Sequence, residues 1–90
     1  MPNKAIARES RRISILLQLQ AAYPAGLTME GILQGLLIFG KKTKKAKIAA
    51  ELAYLEEKGF IAKAPSRISA GFFRYRLSAG GLEYLESEGF

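Results

Sequence analysis

A chain of 90 residues, about half of them apolar, is long enough for one domain spanning 1–90 and too apolar for disorder. It has no Cys, His, Asp or Trp. That removes disulfides, thiol nucleophiles, the commonest general base and the usual metal-ligand sets, so neither an enzyme nor a cofactor or metal is expected. The net charge of +6 is uneven: residues 1–47 hold nine basic and two acidic side chains, residues 48–90 five basic and six acidic, which favours a polyanionic partner.

The first helix is expected over about 6–22. Ile13, Leu16, Leu17 and Gln20 fall at helical spacing, with Ile6 further back. Arg8, Arg11 and Arg12 crowd its start, where the helix dipole disfavours cations, so Glu9 or a phosphate is expected to hold them there. Pro24, in Tyr23-Pro24-Ala25-Gly26, cannot continue the helix. Thr28 is the expected N-cap of the second helix, with Glu30 in its first turn and Ile32, Leu33, Leu36 and Leu37 as its buried stripe. Gly35 would let another helix cross closely.

The turn Phe39-Gly40-Lys41-Lys42 leads to Thr43, the expected N-cap of the third helix. Ile48, Leu52 and Leu55 recur at i, i+4 and i+7 and should point inward. Thr43, Ala46, Lys47, Ala50, Tyr54 and Glu57 fill the opposite arc, and Gly59 fits the left-handed position after the helix. A strand over 60–64, a loop over 65–71 and a strand over 72–77 then form a hairpin. Phe73, Tyr75 and Leu77 alternate with Phe72, Arg74 and Arg76, giving an apolar and a basic face. Ser78 caps a last helix through about residue 88, with Leu82 and Leu85 toward the core and Phe90 closing the chain.

The fold class is therefore mainly α with a small β-hairpin, in the order α-α-α-β-β-α. Leu52-x-x-Leu55-Glu56-x-Lys58-Gly59-Phe60-Ile61, followed by Tyr75-Arg76-Leu77-Ser78-x-x-Gly81-x-x-Tyr84-Leu85, resembles the winged helix-turn-helix domain of PadR- and MarR-type bacterial regulators. The opening Arg8-Glu9-Ser10-Arg11-Arg12-Ile13-Ser14-Ile15-Leu16 is similar to small winged-helix proteins of Mu-like phages and prophages. The first likeness implies a DNA-binding transcriptional regulator. Winged helices also serve as protein-docking modules, so that alternative stays open.

The candidate DNA contacts are Lys41, Lys42, Thr43, Lys44, Lys45 and Lys47 at the third helix, and Arg67, Arg74 and Arg76 on the hairpin. Lysines at a helix start can meet phosphates or base edges while Ala46 and Ala50 touch thymine methyls. Arg67 at the tip would enter a minor groove, and Lys63, Arg74 and Arg76 would meet backbone from one outer face. Against this stand a merely solvated charge run and hairpin charges that only resist edge pairing. Tyr54, Tyr75, Phe72 and Phe73 suit core packing better than base stacking. Glu56 and Glu57 point to different helix faces and make no acid–base pair.

The expected partner is double-stranded DNA, with a homodimer through the terminal helices by Leu82, Leu85 and Phe90. If the protein is instead a docking module, Ala46, Ala50 and Ala53 would pack on a partner helix. An anionic membrane is the other polyanion, but no run is long or apolar enough to span a bilayer and no apolar-cored leader is visible. A cytoplasmic location without a membrane or small-molecule partner is the expectation.

Overall fold

Three helices, a hairpin and a fourth helix follow one another in the computed structural model, which describes residues 4–65 and 73–90. They are α1 (Lys4–Ala21), α2 (Met29–Ile38), α3 (Lys45–Glu57), β1 (Ile61–Pro65), β2 (Phe73–Leu77) and α4 (Ala79–Ser87). The order matches the expected α-α-α-β-β-α.

Local chemistry fixes three of the boundaries. Thr28 and Ser78 hold extended backbone, and each side-chain oxygen accepts the N–H three residues on, from Gly31 at 3.2 Å and Gly81 at 3.1 Å. Gly59 follows α3 with φ +79°, where a side chain would be strained, and Phe60 N–H then closes on Leu55 O at 3.0 Å.

The core gathers one stripe from each helix and one face of the hairpin: Ile15, Leu16 and Leu19; Ile32 and Leu36; Ile48, Leu52 and Leu55; Ile61, Tyr75 and Leu77; and Leu85. Each fully buried aliphatic side chain contributes about 1.5–3 kcal/mol before the entropy of ordering it. The expected α3 stripe is the one buried. In α1 the phase differs: Ile15, Leu16 and Leu19 are fully buried, Ile13, Leu17 and Gln20 are half-buried, and Ile6 is exposed. Residues 13–19 are apolar on several sides, and contact with α2, β2 and α4 selects the 15–16–19 stripe. In α2, Leu33 is half-buried and Leu37 is exposed, so its buried stripe is narrower than expected.

Gly35 does allow a close crossing, since a Cβ there would collide with the Gln18 side chain, whose Nε2 donates to Ile32 O at 3.3 Å. The strands pair antiparallel with Ile61 opposite Leu77, Lys63 opposite Tyr75 and Pro65 opposite Phe73. A further backbone pairing, which no local sequence pattern signals, lies on the other side of β2. Leu27 bridges Tyr75 through two backbone hydrogen bonds of 2.9 and 2.8 Å, which lays the α1–α2 connection along β2. Gly26 makes this approach possible: its φ is +83°, and a Cβ would strike the Tyr75 carbonyl oxygen.

In α4, Leu85 is fully buried and Leu82 packs against the core, so of the three residues expected to pair two copies Phe90 alone is exposed. Among the described residues no helix is long and apolar enough to cross a membrane.

Candidate nucleic-acid interface

The lysine-rich connection from α2 to α3 divides into residues that build the local structure and residues that project from it. Lys41 is half-buried, and its Nζ donates to Ser10 Oγ of α1 at 2.5 Å. Thr43 is half-buried too, and its hydroxyl donates to the Lys41 carbonyl at 3.1 Å. Thr43 is thus not the N-cap of α3. That place falls to Lys44, with φ −72° and ψ 144°, and its side chain makes no capping bond. Thr43 instead secures the turn, which shifts the helix start by one residue.

Lys42, Lys44, Lys45 and Lys47 are exposed. Lys45 is engaged by Glu30 across a 3.2 Å ion pair open to solvent. The Glu30 carboxyl is held below its ordinary pKa, first by a backbone hydrogen bond and then by Lys45.

The remaining cations surround a hollow. A cleft of about 640 Å³ is lined by Arg11 from α1 and by Lys42, Thr43, Lys44, Ala46 and Lys47. Among the described residues no carboxylate lines it. Arg11 Nε is buried without a hydrogen-bond partner. Arg11 was not among the expected contacts. The available signal was the cluster Arg8, Arg11 and Arg12, expected at the helix start; because α1 begins at Lys4, Arg11 and Arg12 fall in its middle, and the structure separates their roles. Arg12 turns the other way, donating to Glu51 Oε2 at 3.0 Å and Oε1 at 3.4 Å and lying 3.6 Å over the Tyr54 ring. Its expected holder, Glu9 or a phosphate, is replaced by α3. Tyr54 is thereby occupied in packing, with Lys58 Nζ also 5.8 Å from its ring centroid.

The hairpin cations are split. Arg74 and Arg76 are exposed on the face that carries Ala62 and Ala64. Lys63 stands opposite Tyr75 on the other face, its Nζ 4.2 Å over Phe73, so the three do not form the single outer face expected. Strand alternation dictates this, because 63 and 75 are register partners and share a side. Arg74 also donates to Gly26 O at 3.3 Å, tying the hairpin to the α1–α2 connection. No described hairpin residue lines the lysine cleft. Arg67 and Phe72 lie outside the described residues.

The charges of α3 run against its dipole. Lys44, Lys45 and Lys47 sit at the positive end and Glu56 and Glu57 at the negative end. This arrangement costs helix stability and raises positive potential at the cleft, which suits an anion. Between Lys47 and Glu56 the exposed positions are Ala49, Ala50 and Ala53. The chain matches no protein-family model and no curated relative.

Proposed function

We propose that this chain is a winged-helix protein that binds duplex DNA, acts as a transcriptional regulator and performs no catalysis. The observation that carries this reading is the cleft between α1 and α3, lined by Arg11, Lys42, Lys44 and Lys47 without a carboxylate. Phosphates supply the complementary charge at close spacing, and their neutralisation releases condensed counterions. The start of α3 approaches the major groove, where Ala46 and Ala50 permit close backbone approach and contact with thymine methyls. Arg74 and Arg76 add backbone contacts from the hairpin. Phosphate contacts set the affinity, because the exposed middle of α3 offers methyl groups more than hydrogen-bonding side chains.

The test is fluorescence polarisation with a labelled mixed-sequence duplex at several salt concentrations. The wild type should bind with a steep salt dependence. The Lys44→Glu/Lys45→Glu/Lys47→Glu variant should lose at least about 100-fold in affinity while staying folded, with a thermal midpoint no lower than that of wild type, since two phosphate contacts and a neighbouring cation become repulsions. A variant that binds as tightly as wild type at matched salt refutes the reading.

One observation favours the second reading, a protein-docking module. Ala46, Ala50 and Ala53 are all exposed, so α3 presents a smooth surface on which a partner helix can pack. No binding to any duplex at low salt would favour this alternative.

A further inference from the structure

Leu37, Ile38 and Phe39 close α2 with 60, 81 and 67% of their surface exposed. Beside them a groove of about 520 Å³ runs along α1, walled by Ile13, Ser14, Leu17, Gln18, Ala21 and Phe39. A second hollow of about 400 Å³ shares Gln18, Ala21 and Phe39 and reaches Gly35 and Ile38. Ridge and hollows form one continuous apolar face across the α1–α2 crossing, apart from the cationic cleft.

We infer that this face packs against a second copy of the chain about a two-fold axis, with the Ile38–Phe39 ridge of each copy lying in the α1 groove of the other. Three arguments converge on that occupant. The first is area. At about 200 Å² for a residue of this size, Ile38 and Phe39 leave roughly 300 Å² open. That already falls within the size range of the main apolar patch of a typical monomer. The groove walls and their polar rim extend it toward the ~800 Å² that each partner of a specific interface buries.

The second argument is shape. A ridge and a groove side by side on one surface are self-complementary under a two-fold rotation, in which each patch meets its own copy. The third is charge. The chain carries +6, yet the groove has a single charged lining residue, Lys41, and that ammonium is bonded to Ser10. Two copies can therefore meet here without opposing free cations. The terminal helix offers no comparable surface, because Leu85 is buried, Leu82 is packed inward and Phe90 stands alone.

Sedimentation equilibrium without nucleic acid tests this, at high salt so that the basic ends of the two copies are screened. The wild type should be dimeric at high micromolar concentration. Ile38→Glu and Ala21→Glu, both at exposed positions, should each weaken the dimer by about 30-fold or more, the effect of losing a central anchor. Circular dichroism and the thermal midpoint at low protein concentration should stay at wild-type values. Phe90→Glu should leave the dimer intact. A wild type that remains monomeric overturns the inference. So does a dimer that survives both groove and ridge substitutions, or one that Phe90→Glu dissociates while Ile38→Glu does not.

Discussion

Arg12 and Glu51 form the one ion pair described between α1 and α3, and the pair is mostly withdrawn from water, with side-chain exposures of 20% and 8%. Removing one partner leaves the other poorly solvated, which costs more than the pair contributes when intact. Glu51→Ala should destabilise the fold by about 2–3 kcal/mol, a little under the cost for a fully buried pair because Arg12 keeps some access to water. Replacing both, as Arg12→Met/Glu51→Leu, should cost less than either single change. Urea unfolding of the three variants measures this, and a double variant less stable than Glu51→Ala would contradict it. Glu51 was legible in principle. It lies three residues after Ile48 and one before Leu52, so the inward stripe of α3 places a carboxylate inside the protein, where it needs a cation. What spacing in α3 could not supply was the identity of that cation, 39 residues away on another helix. The bridge from Leu27 to Tyr75 was hidden for the same reason, since it links two segments 48 residues apart through backbone atoms that any sequence provides.

At the scale of the element, capping and periodicity made the order and type of all six elements legible. Thr28, Gly59 and Ser78 act within one turn of themselves, so their positions carry their meaning. Faces were harder wherever a helix is apolar on several sides. The 13–19 stretch of α1 permits more than one buried stripe, and the one chosen depends on elements far along the chain. Leu37 likewise follows α2 periodicity but reaches past the end of the core. The start of α3 shows competition between stability and surface chemistry. Lys44 occupies the N-cap without a side-chain bond, in a first turn that contains no acidic residue. Lys44→Asp supplies both an acceptor and a charge that favours the dipole, and should stabilise the protein by about 1 kcal/mol. Under the proposed function the same substitution puts a repulsion where Lys44 would meet a phosphate, so duplex affinity should fall and its salt dependence should become shallower by about one contact or more. Thermal unfolding and salt-resolved binding give the two halves of this prediction. A variant that loses stability would show that Lys44 serves the fold rather than the surface.

Across the whole molecule, charge is separated along α3. Lys42, Lys44, Lys45 and Lys47 project at its start, while exposed Glu56 and Glu57 at its end and Glu83, Glu86 and Glu88 around α4 carry the opposite sign. The basic excess of the first 47 residues was legible as composition. Its convergence with Arg11 into one cleft was not, because that requires the tertiary fold to bring Arg11 of α1 beside the turn that precedes α3. Under the proposed function, such a separation would steer a duplex toward the start of α3 and away from α4. Under the proposed function, the four cleft cations with Arg74 and Arg76 on phosphates predict a slope of log affinity against log salt of about −5 per chain, of which the cleft supplies about −3 to −4. Lys45 is withheld from that count by Glu30, whose carboxyl is ionised at neutral pH as any unhindered carboxyl is, and stays so further into acid because its pKa is lowered. Glu30→Gln should release Lys45 toward the backbone, raise duplex affinity and steepen the slope by about 1. The effect has a defined pH direction. As pH falls through the lowered Glu30 pKa the wild type protonates this carboxyl and frees the same lysine, so the two proteins should converge in acid and differ most near neutrality. Binding measured at several salt concentrations and at two pH values checks both parts. An unchanged slope in Glu30→Gln at neutral pH would show that Lys45 does not face the phosphates.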